Sequence, residues 1–365
     1  MIMRNLEDLS IIIPTYERES FAIRTINYWA GKEPSVIVLD GSKQALNENY
    51  LKSYNDNISY IHLPNHTYQE RISKLNNLVN TKYCMLHPDD EFFIPSGLSA
   101  CIEEIEKEDL VCCLGRCLEF EFKNNRVECR PWSPLHTSFD NYSLMEEKPI
   151  MRVLKHMHPY LCSTIYGVTK TNVLLNNISV QIDNTIENYF FELSYEICSA
   201  YQGKSKVINQ LSWLRSNENK PFYIKDKEQG NRDIEPYELI LDVQFKENLV
   251  IEKLAECLNR INDEYSLELL KEIIYSSLSS YAYQANLTIK TANFLKDNKT
   301  KDTPEKNILK KLLGSSYYNK ELGRYNSLIN SAKIWNESGI RSNPKEINEI
   351  ESLISDFHQK KYISK

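Results

Sequence analysis

Residues 9–16 carry a short, unbroken apolar run, Ile11, Ile12 and Ile13, that stops at Pro14, Thr15 and Tyr16. A β-branched run of this length fits a strand buried on both faces of a parallel sheet. Over residues 17–30, Phe21, Ile23, Ile26 and Trp29 fall loosely on one side, as a helix requires. A second buried strand is predicted at 35–39, running into Asp40, Gly41 and Ser42, and a third at 58–63. Ile72, Leu75, Leu78 and Val79 predict an amphipathic helix over 68–80, and 82–86 a fourth strand that ends at His87, Pro88, Asp89, Asp90 and Glu91.

Strands alternating with helices in this way predict an α/β fold with a mainly parallel sheet and helices on its faces. Polar residues fall repeatedly just past the carboxyl ends of strands, where open α/β sheets bind ligands. Thr15 to Arg18, Asp40 to Ser42 and His87 to Glu91 are therefore expected to share one crevice.

Further along, Leu118, Phe120 and Phe122 alternate with Glu119, Glu121 and Lys123, which predicts a hairpin over 110–130 turning at Asn124 and Asn125. Residues 131–160, with four prolines and His136, His156 and His158, read as a long irregular loop. A strand is expected over 161–168, a helix over 186–202 and a strand at 206–208. From Pro236 onward the pattern is helical. Ile251, Leu254, Leu258 and Ile261 share one face, and Leu270, Ile274, Leu278 and Tyr281 another. Thr303 before Pro304, and Asn343 before Pro344, read as helix caps with proline at the first helical position. The expected division is a first domain at 1–235 and an all-helical domain at 236–365.

Composition narrows the function. The 365 residues carry a formal net charge of −6, which argues against nucleic acid as a partner. Ten glycines form neither a Walker A loop nor a GxGxxG turn. Nine cysteines without a CxxC pair read as reduced thiols, although Cys113 and Cys117 have a metal-like spacing. No signal peptide or run long enough to span a bilayer is evident, so the expected location is the cytoplasm.

Three blocks, 11–18 (IIIPTYER), 37–42 (IVLDGS) and 82–92 (KYCMLHPDDEF), resemble the nucleotide-sugar motifs of family 2-like GT-A glycosyltransferases of bacteria. The block 187–193 (ENYFFEL) and the later Trp213, Leu214 and Arg215 resemble that family's acceptor-side acidic motif and its Arg. The resemblance covers roughly 9–217. It implies a GT-A, Rossmann-like domain that moves a sugar from a nucleotide-sugar donor to a glycan, lipid-linked or protein acceptor, by the chemistry of an inverting enzyme in surface polysaccharide or glycoconjugate synthesis. It also implies that Pro14, Thr15 and Tyr16 line the nucleoside pocket. Glu17 and Asp40 would hold base or ribose, and Arg71 base or phosphate.

The family's Asp-x-Asp holds Mg²⁺ or Mn²⁺ against the diphosphate. Here His87 falls at the first Asp position and Asp89 at the second. Asp89 supplies one carboxylate for a cation. His87 is either a Mn²⁺ ligand or a packed, hydrogen-bonded residue. Asp89 and Asp90 are read together as functional, because adjacent carboxylates capping a buried strand need a cation. Arg18 either joins the crevice or pairs with Glu17 or Glu19 on a solvated helix. The resemblance makes Glu187 the general base, with Asp183 and Glu192 as substitutes. Two other functions stay open, a sugar nucleotidyltransferase and a non-catalytic scaffold of the same fold. The helical tail is expected to form a homodimer interface or to touch a membrane surface.

Overall fold

The computed structural model describes residues 6–47, 56–131, 141–160, 163–179, 188–218, 247–297 and 326–359. Its sheet begins with β1 (Leu9–Thr15), β2 (Ser35–Asp40), β3 (Ile58–His62) and β4 (Tyr83–Leu86). All four run parallel, in the order β3, β2, β1, β4. Ile11, Ile12 and Ile13 are fully buried, as a strand covered on both faces requires. The helix α1 (Glu19–Trp29) follows β1, and α2 (Tyr68–Ser73) precedes β4. The helix expected over 68–80 is shorter than its periodicity suggested. After Ser73 the chain tightens into a 3-10 turn, Lys74–Asn77.

Beyond β4 the sheet becomes mixed. A two-residue strand β5 (Phe92–Phe93) leads into α3 (Pro95–Glu108), with proline in the first turn. Strands β6 (Cys112–Lys123) and β7 (Arg126–Pro131) form the expected hairpin, and Asn124 and Asn125 both adopt positive φ, as its tight turn demands. Strand β8 (Ser143–Leu144) and helix α4 (Pro149–Met157) occupy part of the stretch expected to be irregular. The helix forms because Ile150, Val153 and Met157 lie on one side, started by Pro149. The expected strand over 161–168 is also revised. Thr164–Tyr166 is a 3-10 turn, and the strand β9 is Val168–Lys170. Helices α5 (Thr171–Ser179) and α6 (Asn188–Gln202) follow, then the long strand β10 (Ser205–Ser216), parallel to β6. Strand β9 joins the halves by pairing antiparallel with both β4 and β6.

The C-terminal helices are α7 (Glu247–Ile261), α8 (Leu267–Asp297), α9 (Leu328–Glu337) and α10 (Pro344–His358). Asn343 caps α10, its side chain accepting from the Lys345 amide at 3.1 Å. The cap at Thr303 lies outside the described residues. The C-terminal region also contributes a strand, β11 (Asn326–Ser327), antiparallel to β7. One continuous apolar cluster runs from Leu9 and Ile11 through Leu254 and Leu270 to Ile350 and Ile354. The C-terminal helices thus share the core of the sheet, across the division expected near 235. Residues 219–246 around it are outside the described residues.

Candidate active site

The carboxyl ends of β1, β2 and β4 meet. Thr15 pairs in register with Asp40, and the Thr15 hydroxyl donates to Asp89 Oδ2 at 2.7 Å. The Gly41 amide donates to the Thr15 carbonyl at 3.0 Å, and the Glu17 amide to Ser42 Oγ at 2.8 Å. Asp40 is buried, with the Ser42 amide on Oδ1 at 2.8 Å and the Tyr60 hydroxyl on Oδ2 at 2.6 Å. Glu17 takes a positive φ of 54° to turn the chain from β1 towards α1, and its carboxylate accepts from the Lys43 amide at 2.9 Å. Pro14 is half-buried within β1, while Tyr16 is 46% exposed beside it.

Arg71 lies under this mouth as a clamp. Its Nη1 donates to the Thr15 carbonyl at 2.6 Å and the Leu39 carbonyl at 2.7 Å, binding the ends of β1 and β2 together. Burial lowers its pKa, while Tyr68, Asp40, Tyr16 and Asp89 oppose that shift through their charge. A side chain at Gly41 would collide with Arg71, since a Cβ there would stand 2.7 Å from Nε.

Arg18 does not pair with Glu17 or Glu19. Its Nη1 meets Asp89 Oδ1 at 2.9 Å and its Nη2 meets Asp90 Oδ2 at 2.7 Å. Burial raises the Asp89 carboxyl to about 6, against the opposing pull of Arg18. The loop itself is held from behind. Thr25 Oγ1 donates to the Asp89 carbonyl at 2.5 Å, and Arg24 Nη2 to the Asp90 carbonyl at 2.7 Å.

His87 turns the other way. It is fully buried, accepts from Trp29 Nε1 on Nε2 at 3.1 Å and donates from Nδ1 to the Pro88 carbonyl at 2.7 Å. Both nitrogens are spent, so in this arrangement His87 has no lone pair to offer a cation. Burial pushes its pKa down to about 4, which keeps the ring neutral.

Glu91 is buried and accepts from Trp213 Nε1 at 2.5 Å. Burial first, then the Asp90 charge, pushes its carboxyl up to about 8. The unfolded chain loses that proton near the ordinary value of 4.5, the folded chain near 8. This contribution to stability is therefore complete below about 4.5 and is lost as pH rises through 8. Glu91→Gln keeps an acceptor for Trp213 without the charge. It is expected to gain on the wild type by about 1.4 kcal/mol per pH unit between roughly pH 5 and 8, then level off. Melting temperatures of both proteins across that range test this. A constant difference would remove Glu91 from the pH dependence.

On the acceptor side, Glu187 and Asp183 lie outside the described residues. Glu192 on α6 is exposed, yet burial is the largest influence on its carboxyl, followed by Glu196, and both raise its pKa. Ser163 Oγ donates to it at 3.2 Å, and Arg215 adds a positive field. His156 is buried inside α4, with Tyr142 on Nδ1 and Glu196 on Nε2, both at 3.0 Å. It belongs to a structural chain of hydrogen bonds and not to a loop. His158 meets Ser276 at 2.9 Å.

Residues 10–164 match the model of the family described as Glycosyl transferase family 2. The chain is similar over that segment to family 2 glycosyltransferases. It is a glycosyltransferase with a GT-A-like fold, and the matched segment contains Thr15, Asp40, Arg71, Asp89 and Asp90. Two solved structures of S. aureus TarS are similar. TarS 1-349 in complex with UDP-GlcNAc is 11% identical, with 96% of this chain and 92% of that chain covered and a TM-score of 0.48. TarS 1-349 alone is 12% identical, with 77% and 91% covered and a TM-score of 0.43. Among curated proteins, none matches.

Sequence reasoning missed Arg24, Trp213 as the partner of Glu91, and the pairing of Arg18. Arg24 had one legible signal, a charged residue between Ile23 and Thr25 on a helix otherwise bound for the core.

Proposed function

We propose that this glycosyltransferase takes its sugar from a nucleotide-sugar donor held at the ends of β1, β2 and β4, and passes it with inversion to a glycan, lipid-linked or protein acceptor. One observation carries the reading. The hydroxyl of Thr15 and the carboxylate of Asp89 meet at 2.7 Å, with Asp40 in register beside Thr15. Pro14, Thr15 and the exposed Tyr16 form the nucleoside wall, and Asp40 and Glu17 hold base or ribose. Arg71 acts through the backbone, setting the spacing of the two strand ends, and contributes positive field below the diphosphate.

The resemblance implies Mg²⁺ or Mn²⁺. Asp89 and Asp90 fit such an ion, since hard cations are bound through one or two carboxylates plus substrate phosphates. His87 does not fit, because both of its nitrogens are engaged. No group of three or more His, Cys, Asp or Glu side chains able to hold a metal occurs among the described residues. The ion would neutralise charge on the departing diphosphate.

Glu187 is assigned as general base on its resemblance, removing the proton of the acceptor hydroxyl. Glu192 is the second candidate, since its raised pKa suits a base. Self-association through the C-terminal helices and contact with a membrane surface belong to the same proposal. Tyr275 and Tyr283, exposed on α8, support the first. No described helix is long and apolar enough to cross a membrane. We place the enzyme in the cytoplasm, in the synthesis of bacterial surface glycans.

The test is nucleotide release from UDP-, GDP-, dTDP- and CMP-sugars, with and without Mn²⁺ and a panel of acceptors. Release from one donor class supports the reading. Pyrophosphate formation from a sugar phosphate and a nucleoside triphosphate would point to a nucleotidyltransferase. No turnover or binding with any donor would leave a scaffold.

A further inference from the structure

The carboxylates that suit a cation already hold one. Arg18 takes one oxygen from Asp89 and one from Asp90, at 2.9 and 2.7 Å, while Thr15 occupies the second oxygen of Asp89. A divalent ion drawn to those oxygens would stand against the positive guanidinium at a few Å, so the two cations compete for the pair. We propose that Arg18 is a built-in counter-ion of the Asp89–Asp90 pair and competes with the divalent cation for it. The proposal rests on reading this mouth as the donor site.

Three further features favour a contact that can be exchanged. Arg18 stands just outside α1, at its N-cap position, makes no capping bond and keeps 30% of its side chain exposed. It can therefore swing outward without unpacking the core. Its Nε and Nη2 are buried without a hydrogen bond among the described residues, so the contact with Asp90 is an ion pair without hydrogen-bond geometry and two donors stay unused. The Arg18 guanidinium also lies between the two carboxylates, within ion-pair distance of each. The neighbouring Arg24 is engaged elsewhere, paired with Glu218 and bound to the Asp90 carbonyl. A divalent ion would balance both carboxylates and release the guanidinium beside the diphosphate, whose planar fork suits phosphate oxygens.

Arg18 is thus a positioning residue with two partners, the carboxylates when the donor is absent and the diphosphate when it is present. Its presence makes binding of cation and donor mutually dependent, since each favours the outward arrangement.

The test titrates the donor-free full-length protein with Mn²⁺ alone, read by isothermal calorimetry and by the electron paramagnetic resonance of free Mn²⁺. Arg18→Gln is expected to bind Mn²⁺ at least about tenfold tighter than the wild type. Arg18→Lys, which keeps the charge without the fork, is expected to fall between them and serves if the Gln variant is poorly folded. Adding Asp90→Asn to Arg18→Gln should remove the gain. Equal or weaker Mn²⁺ binding in Arg18→Gln overturns the proposal, as does a gain that survives Asp90→Asn. A parallel titration with nucleoside diphosphates separates this from the donor reading. Mn²⁺ competition without any nucleotide binding defeats the donor reading and leaves the competition standing. Nucleotide binding with no change in Mn²⁺ affinity does the reverse.

Discussion

Asp89→Ala is expected to lower turnover by roughly a hundred- to a thousandfold, the range for removing one electrostatic contact made to a developing charge. Asp89 is the hub of the mouth, since Thr15 and Arg18 both end on its carboxylate. Without it, Arg18 keeps only Asp90 and the Thr15 hydroxyl loses its acceptor. The fold should tolerate the change. Burial raises the Asp89 carboxyl to about 6, a sign that the charged form is held there at a cost. The expected pattern is lost kcat with a melting temperature close to that of the wild type. Near-normal turnover in a folded Asp89→Ala protein would remove the residue from the reaction.

Arg24→Ala is expected to cost about 3–5 kcal/mol of stability, the usual penalty for breaking a buried ion pair by removing one partner. The Arg24 side chain is wholly buried, and Glu218, 2.7 Å away, is 2% exposed. Its guanidinium carbon lies 4.9 Å from the ring centre of Phe21, 5.0 Å from that of Phe92 and 4.6 Å from that of Phe357. These contacts connect the first helix, the loop after Asp90 and the final helix. His358 adds a second partner for Glu218, so α10 closes the cluster from outside. Removal leaves the Glu218 carboxylate with that histidine alone and opens a space among three rings. Urea unfolding measures the loss. A change below about 1 kcal/mol would show that α10 docks without depending on Arg24.

These two residues differ in how far the sequence disclosed them. Asp89 was visible because a continuous apolar strand ended abruptly in carboxylates, a pattern that only a strand-end site explains well. The same logic found Thr15 after Pro14, and Asp40 before Gly41. Arg24 was invisible because its partners are 194 and 333 positions away along the chain, on segments whose positions local periodicity cannot supply. Arg18 was half visible. Local sequence offered Glu17 and Glu19 as neighbours, whereas the fold supplied Asp89 and Asp90 across the parallel sheet. His87 carried two readings, and the structure has the packed, hydrogen-bonded one, since a motif position does not say which way a ring points. Helix α3 was overlooked although Pro95 and the spacing of Leu98, Ile102 and Ile105 announced it. Helix α4 was hidden among prolines and histidines that suggested a loop.

The C-terminal helices show the limit of periodicity in another way. Their apolar faces were legible, and Leu254, Leu258, Leu270 and Ile274 are indeed buried. What they pack against was not, because any amphipathic face is equally suited to a partner chain or to its own sheet. Here Ile350 and Ile354 of α10 join the cluster that contains β1.

The location of the bound diphosphate is the most direct test. A crystal of the protein soaked with the nucleoside diphosphate that binds best should show the phosphates between Thr15, Arg18 and Asp89, at the carboxyl ends of β1 and β4. A cavity of about 310 Å³ lies near the amino ends of β1 and β2, lined by Lys32, Glu33, Ser99, Glu346 and Glu349. Phosphate density there, with the Thr15–Asp89 mouth empty, would contradict the donor site described above.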